Sequence, residues 1–185
     1  MENATRAFVM VAGLLLGVLI LSLGIYLFSI FGQYSANAYE TMEKNQITQF
    51  NSQFFKYYGN VTRAYIDEKT KKEKTVQEPI KCTAHDIISI VNLAQQSNKY
   101  NQVDYLNNYD ENTNYIQVDI GKQKNAEKWD ENKKIQFITQ NSTYVSDIEG
   151  TKSVEIKYYY VKDQPIVNKI TAKICYIKFM ELDIQ

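Results

Sequence analysis

The sequence is poor in the residue types that most often carry chemistry. Among its 185 residues are one histidine and two cysteines, and its 21 basic side chains are balanced by 21 acidic ones. A protein that binds nucleic acid needs an excess of positive charge to displace counterions from phosphates. The neutral balance therefore predicts that no nucleic acid is a partner.

Catalytic and metal-binding patterns are missing as well. The single histidine, His85, directly follows residues typical of a helix start, and no G-x-S-x-G, phosphate-binding glycine loop or H-E-x-x-H occurs. The cysteines lack zinc-site spacing, and residues 104–114 lack the central glycine and terminal glutamate of an EF-hand loop. We predict a protein that is not an enzyme, with no catalytic residue, metal or cofactor.

What the chain does have is a long apolar segment near its start. No charged residue occurs between Arg6 and Glu40, and residues 7–31 form a run of 25 residues interrupted only by glycine and two serines. As a helix this run is roughly 38 Å long, which is enough to cross a hydrocarbon core of about 30 Å. The segment is also much longer than the apolar core of a secretory signal. We expect a retained membrane anchor.

The flanking charges predict the orientation of this anchor. Arg6 and the terminal amine precede the run, while Glu40, Glu43 and Lys44 follow it. The positive-inside rule then places the N-terminus in the cytoplasm and the polar bulk of the chain outside. In an oxidising compartment Cys82 and Cys175 can form one disulfide that closes a long loop. Two separate buried thiols are the alternative.

Three glycines of the apolar run share one stripe. Relative to Gly13, Gly17 and Gly24 lie at about 40° and 20° around a helix. Gly13 and Gly17 form a GxxxG motif, which allows a second helix to approach closely inside a membrane. Glycine is common in membrane helices in general, but three on one face favour helix-to-helix packing.

The overall pattern predicts an α+β fold in two parts. Residues 1–59 form a long helix, over about 4–58, that is first hydrophobic and then an amphipathic stem with Gly59 as its C-cap. Residues 60–185 form a small extracytoplasmic head with one further helix and an antiparallel sheet. Its helix starts at Thr83, with Asp86 completing a capping box. Before it, a mixed charge run predicts a solvated loop or hairpin tip within 60–79. Alternating residues predict strands at 115–120, 154–161 and 170–180, and a short strand is predicted at 135–139.

The short polar leader, the unbroken apolar helix with its stem and the α+β head together resemble type IV pilins and their relatives. Arg6-Ala7-Phe8 is similar to the sequence at which prepilin-type peptidases cut, and the residues Met1 to Ala7 resemble the start of small anchored proteins of low-G+C anaerobic bacteria. Pilins usually carry a glutamate five residues into the mature helix, and Ala12 stands at that position here.

This resemblance implies a structural subunit of an extracellular filament on the cell surface. The subunit is anchored in the membrane before assembly, polymerises with copies of itself through the apolar helix, and displays its head. In such a core Glu2 and Arg6, four residues apart on one helix face, either neutralise each other or pair between subunits, because an unpaired charge there is costly. The alternative function is a single-pass anchored extracytoplasmic binding domain, or a pseudopilin-like component of a secretion or envelope complex.

Overall fold

The computed structural model describes residues 2–148 and 151–182, and its fold is α+β as expected. Contacts divide the chain into two units, Met1–Gln46 and Ile47–Gln185, of which the second contains the head. In chain order the elements are α1 (Glu2–Phe55), β1 (Asn60–Ile66), β2 (Glu73–Pro79), α2 (Ala84–Tyr100), β3 (Gln117–Ile120), α3 (Glu131–Asn141), β4 (Thr143–Ile148), β5 (Thr151–Ile156), β6 (Tyr159–Val161), β7 (Ile166–Val167) and β8 (Ile174–Glu181).

The long helix α1 is confirmed, but its predicted C-cap is wrong. The helix ends at Phe55, and Gly59 lies in the turn that leads into β1, with a φ of +117° that favours glycine. Of the apolar stripe expected along the stem, Phe54 is fully buried and Phe50 partly buried, while Tyr39 and Met42 are exposed. The last turns of α1 therefore belong to the head core.

The predicted hairpin tip is confirmed. Strands β1 and β2 pair antiparallel from Asn60 opposite Pro79 to Ile66 opposite Glu73. Asp67 closes the turn between them, because its carboxylate accepts hydrogen bonds from the backbone N–H groups of Lys69 and Thr70 and pairs with Lys74. A similar two-stranded hairpin is formed by β4 and β5.

Helix α2 begins as the sequence predicts. The Thr83 hydroxyl accepts from the Asp86 N–H at 3.3 Å, and the Asp86 carboxylate accepts from the Thr83 N–H at 2.9 Å, which completes the capping box. Burial acts to raise the pKa of Asp86, but hydrogen bonds from Thr83 and Tyr57 lower it overall. The predicted apolar face is buried in the core: Ile87, Ile90, Val91 and Ala94.

The strand predicted at 135–139 is wrong, because these residues lie inside α3, which makes two further helices rather than one. The short apolar group of Ile135, Phe137 and Ile138 fits a strand as well as a helix. Asp130 decides for the helix, since its carboxylate accepts the Lys133 N–H at 2.8 Å and caps the first turn. On the inner side Phe137 is buried, whereas Ile135 remains exposed.

The head sheet has the order β3-β8-β6, with β7 also paired to β8. Strands β6 and β7 run antiparallel to β8, but β3 runs parallel to it, so the sheet is mixed and not purely antiparallel as expected. The connection from β3 to β8 passes through α3 and the β4–β5 hairpin, and such a long crossover is what a parallel pair requires. The strand predicted at 154–161 is divided between β5 and β6.

One core joins these elements. Phe54 and Tyr57, at the end of α1 and just after it, pack with α2 and the sheet, and the Tyr57 and Phe179 rings lie 6.3 Å apart edge to face. Trp129 lies against Phe137 at 5.3 Å. Burial of a large apolar side chain contributes about 1.5–3 kcal/mol each, so this cluster is the main source of the head's stability.

Candidate functional site

The apolar surface of α1 is the most prominent exposed feature of the molecule. None of the residues in its most apolar 18-residue window is buried, and α1 is long and apolar enough to cross a membrane. Phe8 and Phe28 are 79% and 82% exposed. Side chains of this size, exposed in such number, need lipid or other helices to cover them.

The predicted packing glycines lie on this surface. A Cβ atom added at Gly13, Gly17 or Gly24 would have no heavy atom within 4 Å apart from the adjacent residues and the nearby backbone of α1, so the space beside each is open. Gly24 also lies on an open apolar surface that Leu27, Phe28 and neighbouring residues of the same helix form. The geometry allows a second helix to approach along this stripe.

The predicted charge pair at the start of α1 forms within one chain. The Arg6 guanidinium donates to the Glu2 carboxylate at 2.8 Å, one helical turn away, and both side chains are exposed. Of the two arrangements expected for these residues, the structure contains mutual neutralisation within the helix. An exposed pair of this type contributes little to stability by itself.

The predicted disulfide is not formed, and the alternative of two separate thiols is observed. Cys82 and Cys175 are free and buried, and each Sγ donates to a different carbonyl, that of Tyr159 at 3.3 Å and that of Ile166 at 3.4 Å. The backbone of Cys82 forms a β-bridge with Tyr159, and Tyr159 lies opposite Glu181 at the C-terminal end of β8. Cys175 lies near the N-terminal end of the same strand. That separation along the strand is about 20 Å, far beyond disulfide reach.

No candidate metal or histidine site was found in the described part of the chain. His85 lies in the first turn of α2, as expected, and is exposed. Within residues 2–148 and 151–182 no group of three or more histidine, cysteine, aspartate or glutamate residues is arranged to hold a metal ion.

The head contains a polar arrangement that the sequence analysis missed, at the free edge of β3. Within the described residues β3 pairs with no strand other than β8, so its other edge has backbone groups to satisfy. The Asn98 side chain accepts from the Ile116 N–H at 2.7 Å and donates to the Ile116 carbonyl at 2.8 Å. Next along the edge, the Glu127 carboxylate accepts the Val118 N–H at 2.8 Å. Two side chains thus replace a neighbouring strand.

Beside this edge lies a cavity of about 400 Å³. Its floor contains Glu127, Tyr115 and Asn98, which are all buried, and the Tyr115 hydroxyl donates to Glu127 at 2.5 Å. Burial raises the pKa of Glu127, and burial together with the bond to Glu127 raises the pKa of Tyr115. The remaining lining residues are Gln95, Lys99, Asp104 and Lys128.

A second buried carboxylate, Asp119, lies close to the first. It accepts from the Gln117 amide at 2.8 Å, from the Asn125 N–H at 3.1 Å and from the Tyr176 hydroxyl at 3.1 Å. Its negative charge adds to the effect of burial in raising the pKa of Glu127. The two carboxyl groups therefore make this part of the head rich in hydrogen-bond acceptors.

Asn98 and Glu127 lie in segments for which no sequence pattern predicts a function. Asn98 falls at the end of an ordinary amphipathic helix, and Glu127 lies in a polar segment with no periodicity. Their proximity depends on a contact across the fold.

Comparison with known proteins gave no match: no family model, curated protein or solved structure matches the chain significantly.

Proposed function

We propose that this protein is a structural subunit of a pilin-like filament, which is stored in the membrane through α1 and polymerises by packing α1 against copies of itself. The observation that carries the proposal is the apolar surface of α1, which the described structure leaves exposed along the whole of its most hydrophobic segment. Lipid covers that surface before assembly, and sister helices cover it afterwards.

The open glycine stripe supports assembly through this helix. Lipid tails are as apolar as leucine, so helices associate in a bilayer by close packing and not by a hydrophobic drive. Gly13, Gly17 and Gly24 provide a surface on which another helix can approach closely. Outside the bilayer, burial of the same surface gains about 25 cal/mol per Å² removed from water.

The charges at the start of α1 are compatible with burial among copies. Glu2 and Arg6 neutralise each other within one chain, so neither side chain enters an apolar core as an isolated charge. We propose that the N-terminus lies in the cytoplasm before assembly and that the head is displayed outside, at the cell surface.

The competing function is a singly anchored binding domain that does not polymerise. It is favoured by the cavity beside β3, which a purely structural subunit does not need. In that case α1 is an anchor surrounded by lipid alone, and the head acts as a monomer.

Electron microscopy of sheared surface material from cells that produce the chain distinguishes the two functions. A filament subunit gives regular filaments whose mass spectrum contains this chain, and the measured mass also defines its first residue. A singly anchored domain leaves no filaments and is extracted by detergent as a monomer. That second result would reject the filament.

A further inference from the structure

The cavity beside β3 has the size and lining of a small-molecule site. Its volume of about 400 Å³ lies within the range of roughly 300–1,000 Å³ that is usual for ligand pockets. Polar and charged side chains converge on it from α2, from the loop after α2 and from the segment between β3 and α3. These elements all belong to the head, so the cavity is independent of α1.

Glu127, in the floor of this cavity, is an acidic side chain without a cationic partner in the described structure. It is 3% exposed and takes part in no ion pair among the residues that the structure describes. Its hydrogen bonds come from the neutral Tyr115 hydroxyl and the Val118 N–H. Each carboxylate oxygen can accept a further bond.

Glu127 accepts the Val118 N–H at the edge of β3, and this role does not require an acidic side chain. Asn98 satisfies the backbone of Ile116 at the same edge with a neutral amide. A glutamine at position 127 could accept the Val118 N–H with its amide oxygen, donate from its amide nitrogen to the Tyr115 oxygen, and avoid the desolvation penalty of a buried carboxylate. The acidic group is therefore better explained by a positively charged group that enters the cavity.

The rim of the cavity has the opposite polarity. Lys99 and Lys128 line it with one acidic residue, Asp104, and all three side chains are exposed. The Lys128 ammonium donates to the Asn107 side chain at 2.9 Å and lies 5.8 Å from the centre of the Tyr115 ring. An acidic floor below a positive rim matches a molecule with charges of both signs.

We infer that this cavity binds a small zwitterion with a primary ammonium group and a carboxylate, of the free amino acid class. The ammonium group donates to Glu127 at the floor, and the carboxylate lies at the rim between Lys99 and Lys128. This binding activity is separate from filament assembly and holds whether or not the chain polymerises.

Isothermal titration calorimetry on the detergent-solubilised full chain tests the site. The probes are glycine, L-alanine, L-glutamate and L-lysine, with ethylamine and acetate as half-molecules and glycine betaine as a zwitterion without N–H donors. At least one amino acid is expected to bind at about 10 mM or below, and the half-molecules and betaine about 10-fold or more weakly, because each loses a charge-assisted hydrogen bond.

Matched variants locate the binding. Glu127→Gln keeps the size and one acceptor of the side chain and is expected to weaken amino acid binding about 10-fold or more. Glu68→Gln removes the same charge in the β1–β2 turn and leaves binding unchanged. Lys128→Gln weakens binding of amino acids and acetate alike, which separates the rim from the floor.

Three results would overturn the inference. They are no heat from any amino acid on the wild-type chain, equal affinity for glycine and betaine, and unchanged affinity in Glu127→Gln. The comparison of glycine with betaine uses only the wild-type chain, so it decides the question even where a variant does not fold.

Discussion

Asn98 stabilises the head through two hydrogen bonds between its side chain and the backbone of one residue, Ile116. It is 1% exposed, and its amide satisfies both the N–H and the carbonyl of Ile116 next to the free edge of β3. Because Asn98→Ala leaves two buried backbone groups without partners, we expect it to lower the free energy of unfolding by roughly 2–5 kcal/mol. Thermal and denaturant unfolding of the solubilised chain, followed by Trp129 fluorescence, measures the loss.

The sole tryptophan is a suitable reporter because Trp129 is buried against Phe137 in the head core. The matched control is Asn92→Ala, on the exposed side of the same helix. It removes the same amide and is expected to change stability by less than about 0.5 kcal/mol. Equal effects of the two substitutions would contradict the role assigned to Asn98.

The two cysteines give a prediction about reactivity and pH. Burial raises the pKa of the Cys82 thiol to about 12 and that of Cys175 to about 11. Only the thiolate reacts with iodoacetamide, so both residues are expected to stay unmodified in the folded chain up to about pH 9 and to react fully after unfolding. Mass spectrometry after alkylation without reductant measures this result.

An exposed thiol in the same helix provides the control for that experiment. Asn92→Cys places one on the outer face of α2, and it is expected to react within minutes under conditions that spare the two native cysteines. A mass that indicates a bond between Cys82 and Cys175 would contradict the separation of the two thiols.

At the scale of elements, α1 allows a test of helix packing that leaves the single chain untouched. Gly17→Leu adds a large side chain at a position where its first atom, Cβ, meets nothing within 4 Å outside the nearby helix backbone, so a steric effect on assembly is attributed to a neighbouring helix. Since close approach requires a small residue there, we expect filament yield to fall at least about 10-fold. Microscopy and immunoblotting of sheared material measure the yield.

Gly32 provides the matched control, because it also lies in α1 with open space beside it. It is about 100° around the helix from Gly13 and hence off the stripe. Gly32→Leu makes the same chemical change and is expected to leave the yield near that of the wild type. If both substitutions behave alike, the glycine stripe has no role in assembly.

The elements also differ in how well their sequences predicted them. Helix α1 and helix α2 have long, clear signals, namely an unbroken apolar run and a capping box with a periodic face. Helix α3 has only a short apolar group, which fits strand and helix equally. Its Asp130 cap was the available signal. The parallel pairing of β3 with β8 depends on contacts far apart in the chain, which local patterns do not contain.

At the scale of the whole molecule, the α+β class follows from element order, whereas the cavity does not. Its floor combines Asn98 from α2 with Tyr115 and Glu127 from later segments. An asparagine, a tyrosine or a glutamate by itself is no signal of a binding site, and these three residues come together only in the folded head. The absence of a disulfide has the same origin, because the sequence contains both cysteines but not the register that separates them.

The head sheet has hydrogen-bonding partners at both of its edges, at β3 and at β6. Asn98 and Glu127 occupy the side of β3, while Cys82 and Tyr58 pair with β6 on the other side. An unpaired sheet edge is a site at which a strand of another protein can add and extend the sheet. The head sheet therefore leaves little free backbone to which the sheet of a second head could add a strand.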